Sequence, residues 1–125
     1  MILAEQLKER AKQFALRKIN LVRALPKTEE ARLMGRQLLR SGTSIASNYR
    51  AVCRARSKAE FISKMGTVVE ETDETVFWLE LLIDAKKMKK DKMTSILQET
   101  NELLAIFAAS QNTAKGIKKN DSMTQ

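Results

Sequence analysis

An all-α fold, an antiparallel up-down-up-down four-helix bundle with short connections, is what this sequence predicts, and three observations carry the prediction. Apolar residues recur at helical spacing through four segments. Only four Gly and one Pro interrupt the 125 residues, too little turn chemistry for a many-stranded sheet. The gaps between segments are a few residues long, which sets consecutive helices antiparallel. At 43% apolar content the chain holds one domain with a real core.

The first helix is read over 4–25, where Leu7, Ala11, Phe14, Leu21 and Leu25 share one face, Lys18 fills the one missing step, and Pro26 ends the run. Thr28, followed by Glu29 and Glu30, reads as the cap of a second helix over 29–55. "SKAE" (Ser57 to Glu60) has the capping-box form and starts a third helix, 58–85. After "KKMKKDK", Asp91 is positioned to cap a fourth, 92–113, carrying Met93, Ile96, Leu97, Leu103, Leu104 and Phe107. The bundle is therefore expected over 1–113. Residues 114–125, without apolar period, read as a disordered basic tail.

At 100° per residue the second helix separates into three arcs. Met34, Leu38, Ile45, Tyr49 and Val52 form the core arc, extended by Gly35, Gly42, Ala46 and Cys53. Ser41, Ser44 and Asn48, with Gln37, form a short polar seam suited to close approach by another helix. Arg32, Arg36, Arg40, Arg50 and Arg54 form an outward ridge with Thr43 and Ser47 at its middle. Exposed arginines are often merely solvated, but five on one line with no acid among them suit phosphate tracking, and Arg is the better bidentate phosphate donor.

On the third helix Phe61, Met65, Val68, Leu79 and Leu82 already suffice for a core arc, yet Phe77, Trp78 and Leu81 lie outside its centre among Glu70, Asp73, Glu74 and Asp84. Large apolar groups there predict a second packed surface, hence self-association. Glu70 and Glu74 are expected to accept hydrogen bonds from the seam or from a neighbour's cations, because an unpaired carboxylate in such a place is costly.

The chain has no histidine, which removes His-based triads and Glu-x-x-His metal pairs. Cys53 on the apolar arc reads as a buried, inert thiol, and a single cysteine makes no internal disulfide. No Gly-rich phosphate loop is present, so no enzyme activity, metal or cofactor is expected. The start does not read as a secretory signal and no apolar run approaches the roughly 20 residues that span a bilayer, so a cytoplasmic protein away from membranes is expected. A net charge of +8 attracts polyanions.

"QLLRSGTSIASNYRAVCRARSKAEFISKMG" followed by "EETDETVFWLELL" resembles the bacterial four-helix-bundle family encoded within intervening sequences of 23S ribosomal RNA genes. The resemblance covers most of the chain and is densest from Arg40 to Leu82. It implies an antiparallel four-helix bundle, and homopentamers around a central opening. That family also includes basic accessory proteins of diversity-generating retroelements, which bind nucleic acid and a reverse transcriptase. Two positions depart from its pattern: Ala51 stands where a Glu is frequent, and Thr72 where an Ala is frequent.

Together these readings lead to a non-enzymatic oligomer that binds RNA or DNA without sequence preference. The basic surface combines the arginine ridge with Lys8, Lys12, Arg17 and Arg23 of the first helix and with Lys86 and Lys87. The alternative is a protein-interaction scaffold, or an accessory subunit of an acidic or enzymatic partner such as a reverse transcriptase.

Overall fold

The computed structural model describes residues 2–116, and every regular element among them is a helix: α1 (Ile2–Arg23), α2 (Glu29–Val52), α3 (Lys58–Asp84) and α4 (Lys90–Lys115). They run up-down-up-down, with α1 against α2, α2 against α3 and α3 against α4. Across the remaining side, no two described Cα atoms of α1 and α4 come within 8 Å. Long side chains bridge that gap instead.

The helix starts follow from local chemistry. Thr28 is extended and its hydroxyl accepts from the Ala31 amide, 3.3 Å; Ser57 does the same for the Glu60 amide, 3.0 Å. Each satisfies one of the amides that a helix start leaves without a partner. At the far end of α3, Lys86 takes a left-handed conformation (φ 59°), its amide bonds to the Ile83 carbonyl and the Lys87 amide to the Leu82 carbonyl. This paired closure ends α3 and turns the chain into α4.

Several boundaries differ from the sequence reading. α1 stops at Arg23, and Leu25 remains buried after two further turn bonds, Ala24 to Leu21 and Leu25 to Val22. α2 ends at Val52, three residues early, because the chain must turn before Ser57 caps α3. Cys53 is consequently exposed, correcting the expectation of a buried thiol. Lys89, not Asp91, occupies the N-cap of α4, and Asp91 lies in its first turn. α4 continues through Lys115 to a left-handed Gly116, so Ala114 and Lys115, expected in the tail, are helical. Residues 117–125, the rest of that expected tail, lie outside the described residues.

The core contains Leu7, Ala11 and Phe14 from α1, Leu38, Ile45 and Tyr49 from α2, Met65, Val68, Leu79 and Leu82 from α3, and Met93, Leu103 and Phe107 from α4. The Tyr49 and Phe107 rings meet across it with centroids 5.3 Å apart. Hydroxyls fill further inward positions: Ser41, Thr72, Thr75 and Thr100 are fully buried. Thr72 donates to the Val68 carbonyl (2.7 Å) and Thr100 to Ile96 (2.6 Å), so the hydroxyls are satisfied on their own helices. Thr75 lies 2.8 Å from the Glu71 carbonyl and 2.9 Å from the Ser41 hydroxyl, joining α3 to α2.

Lys18, at the missing apolar step of α1, has 0% exposure. Its stem occupies the space opposite Gly42: a Cβ on Gly42 would stand 2.8 Å from Lys18 Cγ and 3.4 Å from its Cβ. These are stem atoms close to the backbone, so the clash is not relieved by swinging a flexible end. Gly42→Ala therefore gains about 1 kcal/mol of helix propensity but suffers overpacking of about 1–3 kcal/mol, and a net loss near 1 kcal/mol is expected in urea unfolding. In a Lys18→Ala background the same change should become stabilising. A Gly42→Ala protein more stable than the parent would show that the two helices do not meet as described.

Candidate nucleic-acid interface

The ridge of α2 emerges on the outer surface, with Arg32, Arg36, Arg40, Arg50 and Arg54 all exposed. Its middle is occupied. Arg40 donates to Glu71 at 3.2 and 3.3 Å and to Glu74, so two α3 carboxylates hold one guanidinium. The hydrogen bond from Arg40 holds the Glu74 carboxyl below its usual value, against a smaller opposing effect of burial. Glu70, expected as a partner, is exposed; Glu71, one residue and 100° further round, faces α2 instead. Lys87 is likewise bonded to Glu30, 2.7 Å, which ties the α3–α4 turn to the start of α2.

Two clusters of uncommitted cations remain, about 21 Å apart along α2 at 1.5 Å per residue. Arg32 and Arg36 line a concavity with Lys27 beside the end of α1. At the other end, Arg50, Arg54, Arg56 and Lys64 line a cleft of about 440 Å³ with Ser47, Ala51 and Glu60. None of these four cations has an ion-pair partner among the described residues. Arg56 and Lys64, absent from the sequence-derived site, belong to it because the early end of α2 folds the turn back over the start of α3. The signal for Arg56 was the basic run "CRARSK", Cys53 to Lys58.

The polar seam is shared less evenly than its composition suggests. Ser41 alone reaches α3, through Thr75. Asn48 donates to the Ser44 carbonyl (2.9 Å) and hydroxyl (2.8 Å) within α2. Beyond the seam Phe77 is 51% exposed and stacks edge-on against Trp78, centroids 4.9 Å apart, while Trp78 and Leu81 are half-buried and Leu33 is exposed on α2. The Trp78 indole N–H points to Glu74 at 3.5 Å.

On α1, Lys12 is exposed and Lys8 is paired with Glu5 at 3.3 Å. Lys86 is exposed in the α3–α4 turn. Arg10 bonds Glu102 (2.7 Å) and Glu99 (3.3 Å), and Arg17 bonds Glu99 and Ser95, which spans the wide α1–α4 side. Among the described residues, no group of three or more His, Cys, Asp or Glu is placed to hold a metal ion, and no helix is long and apolar enough to cross a membrane.

The Arg40 pairing sets an acid response. A carboxylate held below its usual 4.5 contributes stability that is complete above that value and is lost as pH falls through the depressed one. Because the groups face water, the contribution is small, about 0.5 kcal/mol. Arg40→Ala should thus lose about that amount at pH ~7 and nothing at pH ~2 by chemical unfolding. An equal loss at both would locate the role of Arg40 in packing.

The sequence matches, over residues 5–109, the family model described as 23S rRNA-intervening sequence protein. Among solved structures, a protein of unknown function from the S23 ribosomal protein family, from Bacteroides thetaiotaomicron, is similar at TM-score 0.80 and 33% identity. That likeness covers 87% of this chain and 97% of that one. No curated protein matches the sequence.

Proposed function

This chain belongs to the 23S rRNA-intervening sequence protein family, and we propose that it is a non-enzymatic, oligomeric bundle that binds RNA or DNA through its basic surface without reading sequence. The observation that carries the reading is the cleft at the α2–α3 corner, where Arg50, Arg54, Arg56 and Lys64 converge with no ion-pair partner among the described residues. Nearby cations repel one another, and a phosphate backbone relieves that repulsion while releasing its own condensed counterions. Ser47 lines the cleft with its hydroxyl donating to the Ser44 carbonyl, so the cations alone are free to meet phosphate oxygens. Arg32 and Arg36 provide a second contact further along α2, and Lys12 and Lys86 add to the general attraction. Arg40 and Lys87 contribute less than their charge suggests, since each is bonded to carboxylates.

Indifference to sequence follows from the side chains available. Tyr49 and Phe107 are buried in the core, and Trp78 is half-buried against Phe77, so no aromatic platform stands within the basic cleft to stack an unpaired base. The exposed Phe77, with Trp78, Leu81 and Leu33, supports self-association, and the homopentamer of the family resemblance is the assembly proposed. The chain is read as a cytoplasmic protein whose partners are its own copies and a nucleic acid.

Anisotropy titrations with mixed-sequence RNA and DNA test the binding. At ~50 mM salt the affinity should exceed the non-specific range of roughly 10⁻⁴–10⁻⁶ M, and four phosphate contacts should give a log–log salt slope near −3.6 on duplex DNA. Reversing Arg54 and Arg56 to Glu should flatten that slope; no binding, or an unchanged slope, would remove the reading. A pull-down with nuclease distinguishes the scaffold alternative, in which partners persist after the nucleic acid is destroyed. Sedimentation at micromolar concentration tests the assembly, and a monomer there contradicts it.

A further inference from the structure

Among the described residues, the Lys18 amine is the buried side-chain polar atom that no protein group satisfies. It stands 3.1 Å above the Phe14 ring centroid, and its stem is seated against Gly42. We infer that this seat makes α1 a proton-controlled latch on the bundle, closed while the Lys18 amine is neutral and released when the amine takes up a proton.

The geometry supports release of α1 in particular. The backbone of α1 lies close to that of α2 only. Beyond that helix α1 is held by Leu7, Ala11 and Phe14 in the shared core and by Arg10 and Arg17, whose α4 partners Glu99 and Glu102 lie at the surface or only half within it. Such pairs are weak in water and weaker in salt. Pro26 and the short turn around it mark the hinge between α1 and α2. A charge placed on Lys18 meets no carboxylate within hydrogen-bonding distance. From α1 itself Arg17 opposes the charge, from α4 Glu99 favours it, and α2 presents Gly42 with no side chain at all. The face of Phe14 attracts an ammonium, but one ring does not replace the hydration lost on burial.

The sign of the response follows from linkage. Burial, aided by Arg17 and opposed by Glu99, pushes the closed amine down to about 6, whereas an amine freed with α1 returns to the ordinary 10.5. Between those values the open form binds the additional proton. Opening is therefore favoured about tenfold for each unit by which pH falls, and levels off below about 6, where both forms are protonated. Release would uncover the α2 surface at Gly42 together with α1's own Phe14 and Ala11. Acidity thus controls how much apolar surface the bundle presents to a second molecule.

Hydrogen exchange by mass spectrometry on the full chain, between pH ~6 and ~9 and corrected for intrinsic exchange, tests the latch. The opening constant of α1 amides should fall roughly hundredfold from pH 7 to 9, while α3 amides change less, and Lys18→Met should abolish the dependence. Opening of α1 that ignores pH, a dependence that survives in Lys18→Met, or α3 amides changing in step with α1 would each overturn it. Because the variant itself could misfold, the parent chain supplies a second readout, the ¹³Cε titration of Lys18. A midpoint below about 9 supports the latch, and one at or above about 9 overturns it.

Discussion

The contact between the stem of Lys18 and the bare backbone of Gly42 sets how α2 is turned in the bundle. With Gly42 facing α1, helical geometry directs Ile45 and Tyr49 inward, puts Ser41 against Thr75 of α3, and leaves the arginines outside. A rotation of one residue, 100°, would bury part of the ridge and expose part of the core. The same contact explains a run of small and hydroxylic residues, "RSGTSIASN", in the middle of a long helix. Its glycine makes room for a lysine, and its hydroxyls satisfy themselves on helix carbonyls or on a facing threonine.

Charge in this molecule is divided by the fold. Where α2 and α3 lie side by side, Glu71 and Glu74 capture Arg40, and where α1 faces α4, Glu99 and Glu102 capture Arg10 and Arg17. These four carboxylates are therefore engaged along the helix seams. The surplus of cations is left at the bundle ends, above all at the α2–α3 corner, where the turn carries Arg54 and Arg56 away from either seam. A net charge of +8 distributed in this way forms two local clusters of positive charge instead of one continuous stripe.

Much of this was legible in the sequence because it depends on periodicity and caps. Thr28 and Ser57 cap as their patterns require, and the three arcs of α2 face where 100° steps place them. What was not legible depends on contacts between helices or on turn geometry. Thr72 and Thr75 continue the spacing of Met65, Val68, Leu79 and Leu82, but their hydroxyls hid them until the carbonyl partners were seen. Glu71 replaced Glu70 because the α2–α3 phase, not composition, decides which acid reaches Arg40. Cys53 was placed on an apolar arc that ends one residue before it. Lys18 was visible as a gap in an apolar face, yet only the facing glycine shows that the gap is filled by the lysine itself.

The arrangement of the helices therefore depends most on α1 and α2 meeting at Lys18 and Gly42, and that contact is open to direct observation. A nuclear Overhauser spectrum of the isotopically labelled protein near pH 8 should contain cross-peaks from the Lys18 β and γ protons to the Gly42 α protons. Their presence would place the lysine stem on the glycine backbone. Cross-peaks from Gly42 to a different residue of α1, with none to Lys18, would contradict the turn of α2 from which the ridge, the seam and the latch all follow.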